Sequence, residues 1–314
     1  MTLPPDLTFL APPGDAADWR TILLCDAALA TGVFDKLPGT PEELAIRTGL
    51  DPQALRVVLD ALVTVGVLDA ATDGTLSVGP GAPAPAAMPS VRHHARALKR
   101  WATSIEPRLR GEPTRDPAGV ADPEMFHDAL ATNARKAAPE LVDVCLQRFP
   151  DAGSVLDLGG LHGEYSLEFT RRGLRATMQD QPAMIDVARR RGRLEAAGVE
   201  LFEGSFFEKV PDGPFDLAYC SGITHTFDGD HNLMLFRNLR RIVAPGGGVA
   251  VVTFLRGRNP MTALFAIQML VNDNGGDTHT EDEYRTWLTE TGFAVDEAVL
   301  DLPGQGARSV LFAT

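Results

Sequence analysis

The segment Val155-Leu-Asp-Leu-Gly-Gly-Leu-His-Gly163 restricts the fold more than any other stretch of the chain. Val155-Leu-Asp-Leu158 reads as a short buried strand, and Gly159, Gly160 and Gly163 fill the turn after it. Glycines there let a ligand approach the backbone, and the helix that follows presents unpaired N–H groups to it. Further strand-like runs, Arg175-Ala-Thr-Met178, Val199-Glu-Leu-Phe202, Phe215-Asp-Leu-Ala-Tyr219 and Val249-Ala-Val-Val-Thr253, alternate with helical stretches, which predicts a parallel α/β sheet. A glycine turn alone suits nucleotides of many kinds. Asp180 ends the second strand, 23 residues after Asp157, where a carboxylate accepts both ribose hydroxyls of an adenosine. Capping the helix that opens at Pro182 is the other role open to it.

Before residue 150 the periodicity is helical. Residues 17–37 predict an apolar-faced helix ending near Gly32. Thr40-Pro-Glu-Glu43 is a capping box, and Asp51-Pro52 opens a further helix with Leu55, Val58, Leu59 and Leu62 on one face and a stop near Gly66. Val67-Leu-Asp, a turn at Asp73-Gly74 and Leu76-Ser-Val78 form a small hairpin, which completes a winged helix. Winged helices often read DNA, but residues 52–65 offer Arg56 against Asp60 and are otherwise rich in Val and Leu. A formal charge of −13 also repels a phosphate backbone. Packing or dimerisation is therefore expected of this module, and no nucleic-acid partner. Residues 81–90 read as an extended Pro/Ala connector, followed by helices at about 92–109 and 123–148.

At 314 residues two cores are expected. No apolar run approaches the roughly 20 residues of a membrane span, and Met1-Thr-Leu-Pro-Pro-Asp lacks the pattern of a secretory signal. A cytoplasmic protein with no membrane partner is expected. Cys25, Cys145 and Cys220 are far apart and show no metal spacing, as small buried hydrophobes would be. Arg189-Arg-Arg-Gly-Arg193 reads as a solvated helix face.

The order of segments resembles the small-molecule O-methyltransferases of plant and actinomycete secondary metabolism, which carry an amino-terminal winged-helix dimerisation domain. The matching pieces are Gly32-Val-Phe-Asp35, Glu43-Leu-Ala45, Leu55 to Leu68, Phe126 to Asn133, Val155 to Ser166, Asp180-Gln-Pro182, Gly204-Ser-Phe-Phe207, His225-Thr-Phe227, Asn238 to Gly247 and Gly275-Gly-Asp-Thr-His-Thr280. The resemblance implies an α/β Rossmann-like class I methyltransferase domain with an N-terminal, mostly α winged-helix dimerisation domain. Residues 1–105 would form the dimerisation domain, 106–150 a helical connector contributing to the substrate pocket, and 151–314 the catalytic domain. It also implies a homodimer, a small-molecule substrate, S-adenosylmethionine as cofactor with S-adenosylhomocysteine as product, and no metal.

Carried over residue by residue, Asp157, Gly159, Gly160 and Gly163 form the cofactor turn, with Gly159 and Gly160 against the methionyl moiety. Asp180 holds the ribose and Gln181 flanks the adenine. Ser205 stands where the family has an Asp on the adenine amino group, Phe206 packs on the purine, and Ser221 borders the cofactor. His225 fills the slot of the family's general base, which takes the proton of a substrate hydroxyl. The two residues after it are Thr226 and Phe227 in place of Asp-Trp, and Thr253 and Thr278 replace the two glutamates that orient the imidazole. His279 stands where the family has Arg and is a candidate second polar group in the cavity. Phe126, Leu130, Asn133, Met269, Leu270 and Asp273 are the expected substrate wall. O-methylation by His225 is the expected chemistry. Loss of the glutamates keeps three others open: methylation at nitrogen or an acidic carbon, a rearrangement, cyclisation or decarboxylation that uses the sulfonium only as a charge, and a ligand-sensing winged-helix regulator.

Overall fold

The computed structural model describes residues 19–114, 122–272, 275–297, 299–302 and 308–314. The chain forms two compact units, one running to Lys99 and the other from Arg100 onward.

The first unit holds α1 (Trp19–Ala30), α2 (Pro41–Thr48), α3 (Pro52–Thr64) and the hairpin of β1 (Leu68–Ala70) and β2 (Leu76–Val78). Local chemistry sets each start and stop. Thr40 and Glu43 cap α2 reciprocally, with Pro41 in the first turn, where its missing N–H costs nothing. The Asp51 side chain accepts the Ala54 N–H at 2.7 Å to open α3. Leu44, Leu55, Leu59, Leu62 and Val67 bury their side chains together with Cys25 and Ala28 of α1. The Pro/Ala stretch is not an extended connector. It contains a 3-10 turn at Pro85–Ala87 and runs directly into α4 (Met88–Leu109), because Pro85 and Pro89 occupy first-turn positions that need no N–H.

The second unit continues from within α4 through α5 (Pro123–Arg148) into a seven-stranded sheet. Its elements are β3 (Ser154–Leu158), α6 (Glu164–Arg171), β4 (Arg175–Asp180), α7 (Pro182–Arg191), α8 (Arg193–Ala196), β5 (Glu200–Glu203), β6 (Phe215–Ser221), α9 (Gly229–Arg240), β7 (Val243–Thr253), α10 (Pro260–Asn272), α11 (Glu281–Glu290), β8 (Leu300–Asp301) and β9 (Ser309–Ala313). The strand order is β5-β4-β3-β6-β7-β9-β8, parallel from β5 to β7 and antiparallel for β9 and β8. All five residues of β3 are buried, as expected of a central parallel strand with helices on both faces. One apolar layer gathers Leu141, Val142, Phe169 and Tyr219, and the other gathers Leu156, Phe236, Leu239 and Tyr284.

The basic run at the end of α7 is not simply a solvated face. Arg189 pairs with Glu203, Arg190 with Glu124, Arg191 with Asp128 and Arg193 with Glu164. Glu124 and Asp128 belong to α5, as does Arg135, which reaches the buried Glu164 from the other side. These ion pairs fasten α5 across α6 and α7, beside the turn that follows β3. Among the described residues no helix is long and apolar enough to cross a membrane.

Candidate functional site

The strand order reverses between β3 and β6, so the loops leaving both strands open into one crevice at the carboxyl edge of the sheet. Protein packing itself imposes glycine on the first loop. A Cβ on Gly159 would stand 2.3 Å from the Ile223 side chain, one on Gly160 2.5 Å from Met178, and one on Gly163 2.4 Å from Leu194. Gly159 and Gly163 also take left-handed φ of +64° and +67°. Leu161 adopts φ +44° despite carrying a side chain, and its N–H donates to Asp180 Oδ2 at 2.8 Å.

Asp180 Oδ1 accepts the Gln181 N–H at 2.7 Å. A carboxylate offers about four acceptor positions, so two remain for hydroxyls of a ligand. Burial pulls the Asp180 pKa up, against those two hydrogen bonds. Asp157, in the middle of the sheet edge, is pushed up to about 7 by burial; the Ser166 hydroxyl opposes this and the Asp180 charge adds to it. Ser166 Oγ donates to Asp157 Oδ2 at 2.6 Å. A cation beside Asp157 therefore favours its ionised form.

After β5, Ser205 Oγ accepts the Phe207 N–H at 3.3 Å, leaving the hydroxyl proton to donate elsewhere. Phe206 is buried edge-on against Phe207 and Phe227, and Asn238 of α9 donates to its carbonyl at 2.9 Å. Gln181 is exposed at the N-cap of α7 and makes no capping bond. Ser221 is half-buried at the end of β6.

His225 sits in a 3-10 turn, Thr224–Thr226, just beyond Gly222. Its ring is 4.8 Å from Phe265 and 5.8 Å from Phe254, and its Nδ1 is sealed from solvent without a hydrogen-bond partner. Burial, then the Arg308 guanidinium and the neighbouring His279, depress its pKa to about 3. At neutral pH it is an uncharged imidazole, able to accept a proton. Asn232 of α9 holds the turn: its fully buried amide lies 2.9 Å from Thr224 O, 3.0 Å from Asp228 O and 3.2 Å from Phe227 O. His279 Nε2 donates to Phe227 O at 2.7 Å, and its ring packs edge-on to Trp287 at 4.8 Å. His279 thus grips the backbone beneath His225.

Thr253 and Thr278 leave the turn without carboxylate support. In their place, Thr253 Oγ1 lies 3.3 Å from Tyr284 OH, which donates to Thr224 Oγ1 at 2.7 Å. Thr278 is fully buried, with Oγ1 unpartnered. Phe126, Leu130 and Asn133 are half-buried along α5, and Asn133 Oδ1 is sealed without a partner. Met269 is buried and Leu270 half-buried on α10. Asp273 lies outside the described residues. Phe265, Asn232, Tyr284 and Arg308 belong to this constellation, and of these Tyr284 alone lies beside a sequence motif, the Thr280 and Glu283 capping box. Among the described residues no group of three or more His, Cys, Asp or Glu side chains could hold a metal ion.

The chain matches a methyltransferase-domain family over residues 130–298. It is 29% identical to the 3-amino-4-hydroxybenzoate 4-O-methyltransferase of Streptomyces cremeus, over 92% of this chain and 85% of that one. Among solved structures, the mitomycin 7-O-methyltransferase superposes with a TM-score of 0.76 at 25% identity over 94% of each chain. The human N-acetylserotonin methyltransferase in complex with S-adenosylmethionine gives 0.74 at 20% identity, over 100% of this chain and 99% of that one. The crevice suits that cofactor, since Asp180 keeps acceptor positions for two hydroxyls and Asp157 favours a neighbouring cation. The chain belongs to the methyltransferase-domain family and is an S-adenosylmethionine-dependent enzyme of the small-molecule O-methyltransferase group.

Proposed function

We propose that the protein methylates a hydroxyl of a small, flat, largely apolar metabolite, with His225 as general base. The observation that carries this is the buried imidazole at the exit of β6, uncharged at neutral pH and aimed by a turn that α9 and His279 hold from behind. S-adenosylmethionine supplies a methyl group on a sulfonium for in-line displacement. Asp180 binds the ribose hydroxyls, Ser205, Phe206 and Gln181 border the adenine, and Gly159, Gly160, Gly163 and Ser221 line the methionyl path. Asp157 balances the positive charge. Phe126, Leu130, Met269 and Leu270 form apolar walls with Phe254 and Phe265, and the unpartnered Asn133 Oδ1 accepts a donor from the acceptor molecule. His225 takes the hydroxyl proton as the oxygen attacks, and holding the two reactants collinear supplies much of the rate.

The test is turnover of a phenol panel with methyl-labelled cofactor, comparing wild type with His225→Ala. Label on oxygen and a rate loss above about tenfold, or roughly 1.4 kcal/mol of barrier, support the assignment; a smaller loss removes the base. Thr253, whose hydroxyl is spent on Tyr284, and Thr278 supply no carboxylate to sharpen the imidazole, which favours a nitrogen or acidic carbon as the second acceptor. Label found there decides for it.

The homodimer belongs to the same proposal. Ile46, Val57, Val65 and Val78 are exposed apolar side chains of the first unit, Ile46 at 83%, and a partner copy would cover them. Light scattering on the wild type and on Ile46→Asp tests it, with a monomeric wild type as the refuting result. The three cysteines are free thiols, which suits the reducing cytoplasm.

A further inference from the structure

Arg308 immediately precedes β9, whose Ser309 pairs with Thr253 at the end of β7. It therefore emerges at the same edge of the sheet as His225. Its guanidinium carbon lies 5.9 Å over the ring of Phe254, and Nη1 reaches Tyr165 OH at 3.4 Å. Phe254 in turn stacks on Phe265 at 4.1 Å and stands 5.8 Å from the His225 ring, while Tyr165 is 5.7 Å from His162. The cation is thus set between the aromatic cluster at the base and the helix start behind the glycine turn.

The chain has 42 acidic against 29 basic residues, and three arginines that follow β7 in the chain close on carboxylates. Arg256 pairs with Asp277, Arg258 with Glu281 and Asp301, and Arg285 with Glu281. Among the described residues Arg308 has no acidic partner. A guanidinium with one face on an aromatic ring, one N–H given to a tyrosine hydroxyl and no carboxylate among its described partners still offers N–H groups to the planar fork of a carboxylate.

We propose that Arg308 anchors a carboxylate carried by the acceptor, which makes aromatic hydroxy acids the preferred substrate class; this rests on the O-methyl assignment above. Two consequences reinforce each other. The anchor fixes the acceptor's orientation so that its hydroxyl meets His225. Burial first and the charge of Arg308 second keep His225 weakly basic, so a carboxylate seated on Arg308 cancels the second effect and strengthens the base only when the correct substrate is bound.

The methionyl carboxylate of the cofactor has the same chemistry, and the experiment separates the two sources. Protein saturated with S-adenosylhomocysteine is titrated calorimetrically with benzoate, 4-hydroxybenzoate, 3,4-dihydroxybenzoate and 1-naphthoate, each against its carboxamide. At least one acid is expected to bind about tenfold more tightly than its amide. Arg308→Gln abolishes that preference and Arg308→Lys, which loses the fork, reduces it, while affinity for S-adenosylhomocysteine stays within about twofold. The proposal is overturned if no acid out-binds its amide in the wild type, if the preference survives Arg308→Gln, or if either variant instead loses S-adenosylhomocysteine. Arg308→Lys keeps the charge, so it decides the matter should the glutamine variant unfold. His225→Asn should keep the acid preference, so failure of the O-methyl assignment shows in turnover and leaves this binding result standing.

Discussion

Asn232 offers the most exacting test of how the catalytic turn is held. Its amide has two hydrogens and faces three carbonyls, those of Thr224, Phe227 and Asp228. Two of these have other strong donors: Phe227 O accepts from His279, and Asp228 O from the Asn232 backbone N–H at 3.1 Å. Among the described residues Thr224 O has only the Phe227 N–H at 3.4 Å besides. Asn232→Ala therefore strands about one buried carbonyl, a cost of roughly 1–3 kcal/mol, and leaves a small cavity worth about 1 kcal/mol more. A loss of about 2–4 kcal/mol lowers Tm by roughly 5–12 °C in a domain of this size. Asn232→Asp keeps the shape but turns an acceptor toward three acceptors, so it should be at least as damaging as alanine. The expected order of stability in differential scanning fluorimetry is Asn, then Ala, then Asp. Because the turn carries His225 and not the cofactor loop, kcat should fall about 10- to 100-fold with affinity for S-adenosylhomocysteine nearly unchanged. An Asn232→Asp protein with wild-type Tm and kcat would refute this account of the turn.

Titration of Asp157 near 7 makes cofactor binding pH-dependent: the cationic cofactor favours the carboxylate, so affinity falls on acidification from pH 8 to 6, approaching about tenfold per unit below the pKa. Calorimetry should show this in the wild type and a flat profile in Asp157→Asn. His162 and His225, both held near 3 by burial, bind fewer protons folded than unfolded between that value and about 6.5. Each therefore makes stability fall as pH drops through this window, by about 1.4 kcal/mol per unit; Asp157, raised on folding, acts oppositely between about 4 and 7. His225→Gln should flatten the acid limb of denaturant-measured stability, and an unchanged limb would argue against a buried neutral imidazole. Gly160→Ala drives a methyl into Met178 and Asp157; a loss of about 1–3 kcal/mol with weakened cofactor binding is expected, measured by Tm with and without S-adenosylhomocysteine.

Legibility followed the distance over which the determinants act. Thr40 with Glu43, Asp51 with Ala54, and the alternation from Val155 to Thr253 are local patterns, so the winged helix and the parallel strands could be read directly. The extended connector failed because Pro85 and Pro89 look like breakers unless their first-turn positions are known. Arg189 to Arg193 looked like a solvated face because their partners Glu124, Asp128, Glu164 and Glu203 are distant in sequence or on other elements. Asn232 and Arg308 carry no motif at all: one matters through carbonyls of a turn, the other through rings brought near it by antiparallel pairing of β9. Tyr284 had a faint signal, since Thr280 and Glu283 form a capping box that places it in the first turn of α11.

The fastening of α5 has an evolutionary consequence. With about 100° of turn per residue, Glu124, Asp128 and Arg135 fall on one side of the helix and Phe126, Leu130 and Asn133 on nearly the opposite side. One side is tied to α6 and α7 by charge, most firmly where Arg135 meets the buried Glu164. The other can vary without loosening those ties. On the proposed reading, in which positions 126, 130 and 133 face the acceptor, a lineage descending from this chain acquires new acceptors through substitutions there while the helix stays where it is.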